Sequence, residues 1–105
     1  MSAILMPVAA RIAAALTAAH GSSKHEKAVR LMQVTEEAGE ASAAYILLTS
    51  TTHTTTRDVA DELCDVIIAA AVALHSFTDT PAADLTAKLD AVARRLNATT
   101  PERTA

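Results

Sequence analysis

The chain has one cysteine, no tryptophan, one tyrosine, one phenylalanine, two glycines and three prolines in 105 residues. Each shortage excludes something. A lone Cys64 rules out an intramolecular disulfide and fits a reducing, cytoplasmic setting. With so little glycine and proline there is no flexible linker on which to divide the chain, so residues 1–105 read as a single domain. Tyr45 and Phe77 are too few for the layers of a β-sandwich or barrel. An excess of positive charge is also missing: the formal balance is −3, which disfavours a nucleic-acid-binding surface. The longest uncharged apolar run, residues 66–74, is far too short to cross a bilayer. The first 21 residues look superficially like a signal peptide, but they lack a positive n-region and Arg11 interrupts the apolar run. The expectation is a cytoplasmic protein with no membrane partner.

What remains is half apolar and dominated by alanine, a composition suited to close-packed helices. The fold class expected is all-α, a four-helix bundle. A chain this short buries a modest core alone, so further copies are expected to complete it. Pro7 suits the first residue of helix one, which should end at His20 before Gly21, with Val8, Ile12, Ala15, Leu16 and Ala19 on one side. Ser22 or Ser23 should cap helix two, residues 24–48. The stretch TSTTHTTT, residues 49–56, holds eight poor helix formers and reads as a loop. Helix three should start near Arg57 or Asp58 and run to about Ser76. Helix four should occupy 81–97, with Ala82, Leu85, Leu89, Val92 and Leu96 at helical spacing, followed by a frayed tail over 98–105.

Carboxylates crowd the two central helices. Glu36, Glu37 and Glu40 span a sector of about 100° on helix two, and Gln33 falls inside it. Asp58, Asp61, Glu62 and Asp65 span a similar sector on helix three, with Leu63, Ile67, Ala70 and Leu74 opposite. Between Glu36 and Asp65 there are seven acids and one base, Arg57. Acids on surface helices are usually just solvated, and Asp58 and Asp61 also favour a helix N-terminus. Two pairs three apart, Glu37/Glu40 and Glu62/Asp65, point further. If the helices pair antiparallel, four oxygen-bearing groups converge, and like charges so close need a cation between them. Oxygen-only donors suit Mg²⁺, with Mn²⁺ as a substitute. No histidine sits three after any of these acids, which speaks against a di-iron site. Cys64 and Gly39 read as structural, the first as a small core residue and the second as a point of close helix packing.

The motifs EEAGE (36–40) and ELCD (62–65) resemble the paired EExxE and ExxD signature of MazG-like nucleotide pyrophosphohydrolases, an all-α superfamily. The likeness covers roughly residues 25–76 and extends weakly into helix four. It implies Mg²⁺-dependent hydrolysis of a nucleoside triphosphate to the monophosphate and pyrophosphate, by homodimers or homotetramers with sites near subunit contacts. By position it makes Glu37, Glu40, Glu62 and Asp65 the metal ligands, and Glu36 the residue that orients or deprotonates the attacking water. Lys88 and Arg95 match a helix-four pattern in which basic side chains approach the phosphates. Lys88 could equally pair with Asp84, and Arg95 could favour the end of its helix.

The chain departs from the pattern in three places. Gln33, on the metal-facing sector and a candidate substrate-binding residue, stands where many relatives carry lysine; the loop 49–56 lacks the basic, glycine-containing character some relatives have; Val92 replaces a frequent asparagine. These departures motivate an alternative from another class, a non-catalytic helical module that binds nucleotide or a protein partner. A third reading, phosphoribosyl-ATP pyrophosphohydrolase, shares the reaction type but matches helix two less well. Neither the base nor the sugar of a substrate is legible at this level.

Overall fold

The computed structural model describes residues 3–99, and these form four α-helices with no strand among the described residues. They are α1 (Leu5–His20), α2 (Lys24–Ser50), α3 (Thr56–Leu74) and α4 (Pro81–Thr99). Among the described residues no helix is long and apolar enough to cross a membrane. The expected tail from 98 onwards falls mostly outside the described residues, and α4 continues to Thr99.

Local chemistry explains where each helix begins and ends. α1 starts two residues before Pro7, which sits in the first turn where its missing N–H would have had no helical partner. Gly21 ends it at φ 80°, a conformation that costs glycine little, and its N–H bonds to the Thr17 carbonyl at 2.8 Å. Ser23, one of the two expected caps, accepts from the Glu26 N–H at 3.1 Å. α2 runs two residues further than expected. Thr49 and Ser50 turn their hydroxyls back onto the Ile46 carbonyl at 2.9 and 2.8 Å, and so extend the last turn. The loop shrinks to 51–55. α3 opens with a capping box in which Thr55 and Asp58 satisfy each other's backbone N–H groups. It stops at Leu74, two residues early, where His75, Ser76 and Phe77 tighten into i→i+3 turns.

α2 and α3 pack along their length, and α1 packs more lightly on α3. The contact of α1 is made by Ala9 and Ala13 against Ala71 and Val72, with Leu5, Met6 and Leu16 around them. Val8 and Ile12, expected on the packed side, are exposed at 42% and 37%. Alanine lets the two backbones approach closely, and the branched residues are left outward. α4 makes only sparse contact with the other three helices. Two sequence expectations fail outright. Cys64 is exposed rather than part of the core. A Cβ on Gly39 would meet nothing within 4 Å, so that glycine is not a packing point within one chain.

Candidate metal centre

The antiparallel pairing of α2 and α3 does bring the acidic sectors together. Oxygens of Glu37, Glu40 and Glu62 lie within 4.8 Å of one another. Asp65 is outside this convergent trio but close enough that its charge acts on Glu40. The Glu40 carboxyl is held above its ordinary range, first by the charge of Glu37, then by burial, and next by the charge of Glu62. Glu62 adds an independent sign of an incomplete site: its Oε2 is buried and accepts no hydrogen bond among the described residues. Three converging carboxylates, one of which has a buried oxygen without a partner, fit a magnesium-class cation.

Other expected residues are distributed unevenly around the trio. Gln33 is on the same side of α2 and donates from Nε2 to Glu37 Oε1 at 2.8 Å, which helps to aim that carboxylate. Glu36 is exposed, and its side chain makes no hydrogen bond or ion pair among the described residues. Lys88 and Arg95 lie on α4, exposed, and do not line the cleft beside the acids. Lys88 is not paired with Asp84: that carboxylate instead accepts from the hydroxyls of Thr78 and Thr80 at the start of α4. The alternative reading of Lys88 as an intrahelical partner therefore fails.

Sequence reasoning missed the most buried charge in the described chain. Arg30 is only 6% exposed. Its Nη1 donates to Ser76 Oγ at 3.0 Å and to Thr17 Oγ1 at 3.4 Å, and its Nη2 donates to the Gly21 carbonyl at 2.7 Å. Its Nε lies 3.5 Å from Glu26 Oε1. One guanidinium thus ties the end of α1 to α2 and to the turn after α3. The signal was available: Glu26, Arg30, Gln33 and Glu37 recur at four, three and four, which is one stripe of a helix.

That stripe forms one wall of a cleft of about 450 Å³ between α1, α2 and α3. Glu37 and Asp65 stand at the acidic end, Glu26 and Arg30 farther along α2, and Ile12, Leu16, Val29, Ile68 and Val72 supply apolar walls. The cleft and the trio share Glu37. Neither protein-family models, nor curated proteins, nor solved structures give a match to this chain.

Proposed function

We propose that the protein is a Mg²⁺-dependent nucleoside triphosphate pyrophosphohydrolase of the MazG-like kind. The observation that carries this reading is the convergence of Glu37, Glu40 and Glu62, with Glu37 also lining a ligand-sized cleft. Glu37, Glu40, Glu62 and Asp65 would hold Mg²⁺, or Mn²⁺ in its place. Bound there, the cation lowers the pKa of a water and offsets phosphate charge. Glu36 orients the attacking water and takes its proton. The water oxygen bonds to the α-phosphorus, the bond from that phosphorus to the bridging oxygen breaks, and pyrophosphate leaves with the electron pair. Gln33 contacts the substrate from the cleft wall. Lys88 and Arg95 supply positive charge for the phosphates. Because α4 packs so little within one chain, these two side chains reach the phosphates in a homodimer or homotetramer, where the bundle is completed.

The test is pyrophosphate release with Mg²⁺ across common and deaminated ribo- and deoxynucleoside triphosphates, alongside thermal melting with and without the metal. Turnover on at least one nucleotide is expected, together with a rise in Tm on adding Mg²⁺. Nucleotide binding without turnover on any substrate would overturn the enzyme and leave the non-catalytic module. An unchanged Tm response in both Glu37→Gln and Glu62→Gln would move the metal away from these residues.

A further inference from the structure

We propose that the cleft between α1, α2 and α3 holds the base of the nucleotide, and that Glu26 selects it by accepting hydrogen bonds from its N–H groups. This rests on the nucleotide reading above and adds a specificity-determining residue to it. The cleft volume of about 450 Å³ lies in the range of small-molecule sites, and apolar walls with few polar groups are their usual make-up. Glu26 and Glu37 stand eleven residues apart on α2, about 16 Å of helix rise. That separation accommodates a metal-bound phosphate at Glu37 and a purine edge at Glu26, with the sugar between them.

The polar groups of the cleft decide which base fits. No aromatic ring lines it, so stacking does not discriminate. Arg30 is unsuited to reading the ligand, because it is buried and already donates to Thr17, Ser76 and Gly21. It acts as a positioning residue instead, holding Glu26, whose side chain is 15% exposed. A carboxylate accepts and does not donate. The edge most complementary to it offers two adjacent N–H donors, and guanine presents such a pair at N1 and its 2-amino group. Adenine presents an amine next to a bare ring nitrogen, whose lone pair would face the carboxylate.

The experiment compares kcat/KM for GTP, ITP and ATP in the wild type and in Glu26→Gln, and measures GMP and AMP binding by calorimetry with Mg²⁺. The wild type should favour GTP over ATP by about five- to a hundredfold, the range one base-edge contact provides, with ITP between them. In Glu26→Gln, whose amide both donates and accepts, the GTP/ATP ratio should fall to within about threefold. Val29→Phe, which narrows the cleft from its wall, should weaken GMP binding while keeping the Mg²⁺-induced rise in Tm, and serves as the second variant if Glu26→Gln does not fold. Turnover without base preference, or a preference unchanged in Glu26→Gln, overturns the role of Glu26 and leaves the enzyme standing. Glu26-dependent GMP binding without turnover on any nucleotide supports the cleft and overturns catalysis. No turnover and no GMP binding overturns both.

Discussion

At the scale of single residues, the acidic trio concentrates the electrostatic conflict of the fold. The raised pKa of Glu40 means that the folded protein binds a proton there more readily than the unfolded chain does. The metal-free protein should therefore lose stability as pH rises from the ordinary glutamate value of 4.5 through the raised one, and regain it as pH falls. Melting in chelator across that window should show the slope, and Glu40→Gln should flatten it. Glu36 separates catalysis from metal binding. Glu36→Gln should keep most of the Mg²⁺-induced rise in Tm and lose turnover by about 10²–10⁴-fold, the usual scale of a general base. Glu40→Gln should weaken both. Full activity in Glu36→Gln would remove that residue from the mechanism. Glu37, Glu40 and Glu62 were legible from spacing, because helical period alone puts them on facing sectors. The spacing of Glu26 and Arg30 was legible as one stripe but their burial was not, because an i,i+4 ion pair on a helix is usually solvated and only tertiary packing buries this one.

Among the elements, boundaries were legible wherever a single residue type sets them, as at Gly21, Ser23 and Pro81. They were misjudged where side chains bond back to the backbone. Threonine and serine are poor helix formers in isolation, yet Thr49 and Ser50 extend α2 through the Ile46 carbonyl. Thr55 carries one half of the α3 capping box, and Thr55→Ala should cost about 1 kcal/mol, read as a lowered denaturation midpoint with an unchanged slope. Arg30 is a larger determinant because it joins three elements. Arg30→Met keeps much of the stem but strands Glu26 beside the cleft and leaves the Gly21 carbonyl without its partner. A loss of about 3 kcal/mol is expected, the scale of breaking a buried ion pair, and chemical denaturation will measure it. A loss below about 1 kcal/mol, typical of an exposed pair, would show that α1 is held in place by its apolar contact with α3 alone.

As one chain the molecule is extended. Its radius of gyration is 17.2 Å, where a compact chain of this length has about 13 Å. Its accessible surface is 7760 Å², where a compact monomer of this mass exposes about 5600 Å². The excess of about 2000 Å² per chain is more than the roughly 800 Å² each partner buries in a standard interface and falls in the range of obligate ones. Among the described residues no large side chain is fully buried, while Leu63 and Ile67 are 50% and 54% exposed on the face of α3 turned away from the acids. A groove on that side, between α2 and α3, is lined by Ala38, Ala41, Tyr45, Ile46, Val59 and Leu63. The sequence pattern identified this apolar face but not its owner, because amphipathic periodicity is identical whether the covering surface is the same chain or another. We expect at least a dimer built on α2 and α3. Folding and association are then coupled, so Tm should rise with protein concentration. Ile67→Asp should place an unpaired charge in the contact, shift light scattering toward the monomer mass and lower Tm together. A wild-type protein that scatters as a folded monomer at micromolar concentration, with a concentration-independent Tm, would refute the assembly.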